Sequence, residues 1–188
     1  MPEQAVGPIV LVAGSLRSGS YTKVLLGRAG QLVPDRFQVI ESDDVRALPH
    51  YDADLDGERA PETVRRARAT LATAAAVIIA TPEYNSSIPG GLKNWVDWVT
   101  RPVRQHVLVG KPVAVLGGAP NARGAATAVN WLGTLLDRLG AVVAGVPLAV
   151  PEIATEIEPG GSVSDAVDRQ LVDLIDALVM AIDAVPAG

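Results

Sequence analysis

Two short stretches hold most of the groups with chemistry to offer. The first is Gly14-Ser15-Leu16-Arg17-Ser18-Gly19-Ser20-Tyr21-Thr22, which sets two Gly, three Ser, one Thr and one Arg between an apolar run and a helical pattern. Free amides at a helix start carry partial positive charge and hydroxyls add donors, so this stretch suits a phosphate monoester. Arg17 can neutralise the remaining charge or clamp a second anion. Ordinary N-capping by Ser18 or Ser20, with a turn at Gly19, would use the same residues. Neither G-x-x-x-x-G-K-[ST] nor G-x-G-x-x-G is present, which excludes a triphosphate loop and a dinucleotide fingerprint. A phosphatase built on such a loop would need a Cys nucleophile, and the chain has none.

The second stretch, Thr81-Pro82-Glu83-Tyr84-Asn85-Ser86-Ser87-Ile88-Pro89-Gly90-Gly91-Leu92-Lys93-Asn94, follows the apolar run Ala74–Ala80. Its chemistry is that of a planar ring site. Pro82 restricts the backbone, the amides of Glu83, Tyr84 and Asn85 can read a mixed donor and acceptor edge, and Tyr84 offers an aromatic wall. The helix start at Ser86, Ser87 and Pro89 would favour negative charge gained by a reduced ring. A plain turn with Ser87 as N-cap explains the helix start but not the whole run. Gly117-Gly118-Ala119-Pro120-Asn121 forms a third loop, where small residues permit close approach to the backbone.

The elements that would position these loops follow a regular alternation. Five apolar runs, at Pro8–Ala13, Phe37–Glu41, Ala75–Thr81, Val113–Gly117 and Ala141–Val150, alternate with helical patterns. That is the pattern of a parallel sheet covered on both faces, with right-handed crossovers. Helices are expected near 21–33, 61–73, 90–100 and 124–139. A last one is expected after an N-cap at Ser162 with Asp165 three positions on. Open sheets of this kind bind ligands at the carboxyl edge of their strands, where all three loops lie.

On the third helix, Leu92, Val96 and Val99 form one stripe. Trp95 borders that stripe and Trp98 lies off it, so Trp98 is expected at a subunit contact, where aromatics are enriched.

At 188 residues the chain reads as one domain over 1–188. A hydrophobic share of 48% against 20% charged fits a soluble globule, and the net charge of -5 argues against a nucleic-acid surface. The cluster Arg65, Arg66 and Arg68 is read as a solvated helix face. With no Cys and two distant His residues, thiolate chemistry is excluded and a metal site is not expected. No run reaches the roughly 20 apolar residues of a membrane span, and Met-Pro-Glu-Gln does not resemble a secretory leader. A cytoplasmic protein is the expectation.

With these motifs in place, the chain is similar to the NADPH-dependent FMN reductases of the flavodoxin-like fold, a group that includes quinone, chromate and azo-dye reductases. The resemblance spans roughly Val10 to Val150. It rests above all on the stretch from Thr81 to Asn94, supported by Gly14–Ser20 and Gly117–Ala119. It implies a flavodoxin-like, doubly wound, five-stranded parallel sheet of order 2-1-3-4-5 with helices on both faces.

The resemblance also implies FMN beside the first and third strands. Ser15, Arg17, Ser20, Tyr21 and Thr22 would hold the phosphate, while Pro82, Glu83, Tyr84, Asn85 and Gly117 would touch the ring or ribityl chain. NADPH would supply the hydride and a small-molecule acceptor (a quinone, chromate, an azo dye or free flavin) would take the electrons, with no catalytic side chain and no metal. The expected assembly is a homodimer or homotetramer. Two departures stand out: Thr22 replaces the family's usual Asn, and Trp95 replaces a small residue. The other readings are a flavodoxin-like electron carrier or flavin module with no pyridine-nucleotide site, and an interaction domain that binds no flavin.

Overall fold

The computed structural model describes residues 7–158 and 160–185. The Met-Pro-Glu-Gln start lies outside the described residues. Strands β1 (Ile9–Ala13), β2 (Val39–Ser42), β3 (Ala76–Thr81) and β4 (Pro112–Gly118) alternate with helices α1 (Tyr21–Leu32), α2 (Asp44–Ala47), α3 (Glu62–Thr73), α4 (Gly90–Val99) and α5 (Ala126–Arg138). Two short strands, β5 (Val142–Val143) and β6 (Leu148–Val150), then precede α6 (Ile153–Glu156) and α7 (Asp165–Asp183). All pairings in the sheet are parallel and the order is β2-β1-β3-β4-β5, with β6 also on β4. The expected order is thus met, and the fold is flavodoxin-like.

The central strands are apolar on both sides because both sides are covered. In β3, Val77 and Ile79 pack with α3, α4 and α5, whereas Ala76, Ile78 and Ala80 pack with α1 and α7. Strand β1 alternates in the same way, with Val10 and Val12 on one face and Ile9 and Leu11 on the other.

The fifth strand differs from the single run expected over Ala141–Val150. It pairs with β4 at Val142–Val143, leaves it around Gly145, and rejoins at Leu148–Val150. Gly145 takes φ +63°, a conformation suited to glycine. Pro147 has no N–H for a ladder bond. The last helix also starts later than expected. Ser164, not Ser162, is its N-cap and accepts from the Val167 N–H at 3.3 Å, while the Ser162 hydroxyl donates to Glu158 at 3.0 Å.

Trp98 corrects a further expectation. It is fully buried, so it forms no surface for a subunit contact. Its indole Nε1 donates to the Pro49 carbonyl at 2.8 Å, and its ring meets Tyr51 edge-on at 4.8 Å. Helical spacing put it off the stripe facing the sheet, but the segment from Leu48 to Ala60 wraps over that side and supplies a second core face. Arg68 is likewise not solvated. It donates to the Trp98 carbonyl at 2.7 Å and to Asp56 at 2.9 Å, while Arg65 and Arg66 are exposed as expected.

Candidate cofactor site

The carboxyl ends of β1, β3 and β4 release three loops side by side, and their residues meet in one cleft. From the first loop come Ser15, Arg17, Ser20, Tyr21 and Thr22, and from the second Pro82, Glu83 and Tyr84. The third contributes Gly118, Ala119 and Pro120. Eight of the ten residues singled out from the sequence therefore share a single lining.

The first loop ends in an anion-ready helix start. Ser20, the N-cap of α1, has extended backbone and makes no side-chain cap, and the first turn contains no acidic residue. Its hydroxyl sits 2.9 Å from that of Thr22, both residues being buried. One mutual hydrogen bond uses one of the two hydroxyl protons and leaves the other to donate. Ser15 is also buried and its Oγ accepts from the Arg17 N–H at 3.4 Å. Arg17 is exposed and donates to the Gly19 carbonyl at 3.2 Å, which holds the guanidinium over the loop. Arg46 of α2 donates to the Leu16 carbonyl at 2.7 Å and braces the loop from outside. That brace is not legible from sequence, since α2 is a single helical turn.

The second loop is a tight hairpin. Asn85 and Ser86 take φ of 51° and 58°, and Tyr84 and Ser87 exchange both N–H···O bonds, at 2.9 and 3.0 Å. Two left-handed residues in a two-residue turn suit Asn at the first position. This corrects one expectation: the Tyr84 amide is spent on the Ser87 carbonyl and cannot read a ring edge. The Tyr84 side chain, 47% exposed, remains as a wall. Asn85 stands at the tip of the hairpin, outside the cleft lining.

Glu83 has a task that sequence reasoning missed. The N-cap of helix α5, Ala125, takes φ +67° and offers no side-chain cap. The Glu83 carboxylate reaches across and accepts the Ala128 N–H at 3.2 Å. It thereby ties the ring loop to the third loop with a charge suited to a helix N-terminus. Within that third loop, Asn121 Oδ1 accepts from the amides of Arg123 and Gly124 at 3.0 and 3.1 Å, a local turn typical of Asn.

Gly117 lies one residue deeper than the cleft. A Cβ there would come within 2.3 Å of the Thr81 carbonyl oxygen and 2.6 Å of Val129. Its smallness serves the contact between sheet and α5. Trp95 is fully buried in the core and does not alter the mouth; its Nε1 has no partner among the described residues.

The donor set fits an FMN phosphate: buried hydroxyls, one unspent hydroxyl proton, an uncapped helix start and a nearby guanidinium. A cleft of this kind, between β1, β3 and β4, lies at the switch point where open α/β proteins bind their ligands.

A family model described as NADPH-dependent FMN reductase matches residues 8–155. The chain is 38% identical over 168 residues to an NAD(P)H-dependent FMN reductase of Pseudomonas aeruginosa, covering 89% of this chain and 86% of that one. It is 36% identical over 156 residues to a 2-hydroxy-1,4-benzoquinone reductase from Burkholderia sp, covering 82% and 84%. Among solved structures, FerB of Paracoccus denitrificans, a flavoenzyme NAD(P)H:(acceptor) oxidoreductase, superposes with TM-score 0.84 at 36% identity, covering 95% and 98%. The chain belongs to the NADPH-dependent FMN reductase family and is an oxidoreductase that works with FMN and NAD(P)H.

Proposed function

We propose that this protein is an FMN-bound NAD(P)H:quinone oxidoreductase. The observation that carries the reading is the convergence of an anion cradle and an open ring wall in one cleft. Ser15, Ser20, Thr22 and the first amides of α1 would hold the phosphate, with Arg17 above it and Tyr21 at its side. Pro82, the backbone at Glu83, and Tyr84 would line the ring against Gly118–Pro120. Asn85 shapes the hairpin and Gly117 the floor.

FMN supplies hydride acceptance and electron transfer, so the protein needs no acid, base or nucleophile of its own. The chain's residues orient the phosphate, hold the ring loop rigid through the hairpin and the Glu83 cap, and keep one ring face open. A quinone acceptor is favoured because a relative that spans most of the chain reduces a benzoquinone. We place the reaction in the cytoplasm. No helix among the described residues is long and apolar enough to cross a membrane.

The test is anaerobic. Protein loaded with FMN should bleach within seconds of mixing with NADH or NADPH and recover its colour when a benzoquinone is added. A flavin that bleaches with dithionite alone would make the protein an electron carrier.

We also propose a dimer or larger assembly. With Trp98 buried, its candidate face is α5, where Trp131 is 42% exposed. Trp131, Thr134, Leu135 and Arg138 line a shallow depression at helical spacing.

A further inference from the structure

A second cleft opens on the other side of the Gly14–Ser20 loop. It has a volume of 350 Å³ and lies between α1, the carboxyl end of β2, and α2; Ser15 lines both clefts. Ligand pockets begin at roughly 300 Å³. Its lining is chemically divided. Leu16, 43% exposed, and Val45 give an apolar wall, Glu41 and Asp43 put carboxylates at the end of β2, and Lys23 and Arg46 bring two cations. Among the described residues neither Lys23 nor Glu41 has an ion-pair partner. An apolar wall for a base, carboxylates to accept ribose hydroxyls, and cations for phosphate together describe a nucleoside phosphate.

Gly27 supplies an independent observation. It sits in the middle of α1 and lines this cleft, yet a Cβ built on it meets nothing within 4 Å. Gly30, one turn further on, is different: its Cβ would press on Leu11 at 2.8 Å. Glycine weakens a helix interior, and at position 27 no packing constraint calls for it. Position 27 therefore has room for a side chain where α1 borders this cleft.

We propose that this second cleft seats the adenosine diphosphate end of the dinucleotide hydride donor. The inference rests on the reading of the first cleft as the FMN site. The two clefts adjoin at Ser15, and a dinucleotide links its two nucleosides through a pyrophosphate. That pyrophosphate would cross the rim at Arg17, whose guanidinium retains free N–H groups after its bond to Gly19.

The experiment is a calorimetric titration of ADP-ribose into FMN-loaded protein, using wild type, Gly27→Leu and Glu41→Ala. Leucine adds bulk where α1 borders the cleft, and Glu41→Ala, at the end of β2 and away from the first cleft, reads the same cleft should the first variant fail to fold. ADP-ribose should bind at least tenfold more weakly in the variants, with FMN affinity within twofold of wild type. Unchanged ADP-ribose affinity in the folded variants would overturn the proposal. So would ribose 5-phosphate binding as tightly as ADP-ribose, since the base would then contribute nothing, or absence of binding in a wild type whose flavin NADH bleaches. If FMN does not bind at all, the same titration on flavin-free protein still reads this cleft, so the two readings fail separately.

Discussion

Thr22 is buried, with its hydroxyl 2.9 Å from that of Ser20, so Thr22→Val keeps the shape and removes one donor from the cradle. Fluorescence titration of the flavin-free protein should show FMN bound about fivefold to tenfold more weakly, the equivalent of roughly 1 kcal/mol for one hydrogen bond. The melting temperature should fall as well, because the buried Ser20 hydroxyl loses its partner. Glu83 acts differently. Glu83→Ala strips the remote cap from α5 and should cost about 1 kcal/mol in urea unfolding, whereas Glu83→Gln keeps an acceptor oxygen and should recover most of it. Equal losses in both variants would show that the carboxylate charge, not the hydrogen bond, matters. These two residues also mark where legibility ended at this scale. Thr22 was readable because its partners are neighbours in the chain. The task of Glu83 was not, because its partner is the amide of Ala128, 45 residues away.

Strands and crossover helices were legible because burial on both faces writes continuous apolar runs into β1, β3 and β4, and the three loops inherit their places from those strands. The edges were less so. Gly145 and Pro147 inside the run Ala141–Val150 mark a weak strand, but an apolar run read as one strand hides that its middle leaves β4 and its end rejoins it. The misplacement of Trp98 has the same origin: periodicity identifies the helix face toward the sheet, but not a face covered by a loop. That loop is pinned in two places, since the Pro49 carbonyl accepts from Asn94 Nδ2 and Trp98 Nε1, each at 2.8 Å, and Asn94 Oδ1 accepts from the Tyr51 amide at 2.7 Å. Trp98→Phe removes one donor and part of a buried ring. It should destabilise the protein by about 2 kcal/mol and increase hydrogen exchange at the Tyr51 amide. Global destabilisation without faster exchange there would mean that the indole fills space and does not anchor the segment.

For the whole molecule, acid should act in two separate windows. Burial lowers the pKa of His106 from its usual 6.5, and a bond to the Leu139 carbonyl only partly offsets this; His106 Nδ1 already accepts the Leu108 N–H at 3.3 Å. Above pH 6.5 the imidazole is neutral whether folded or unfolded. Below it, the unfolded chain binds a proton that the folded chain resists, so stability falls until the pH passes the lowered value. The Arg28 guanidinium holds the Asp168 carboxyl below 3.8, so that pair is lost only in stronger acid. Urea midpoints should therefore drop between pH 7.5 and 5.5, and His106→Gln should flatten the drop.

The proposed association of folded units would depend on other side chains. Trp131 presents a large apolar surface on α5 beside Leu135 and Arg138, and burying such a surface is what an interface core requires. Light scattering at micromolar concentration should give a dimer or larger, and Trp131→Glu should shift it to monomer with FMN still bound. A monomeric wild type would dismiss the assembly. An assembly indifferent to Trp131→Glu would move its contact to another face, because a carboxylate cannot be buried there without a partner at comparable affinity.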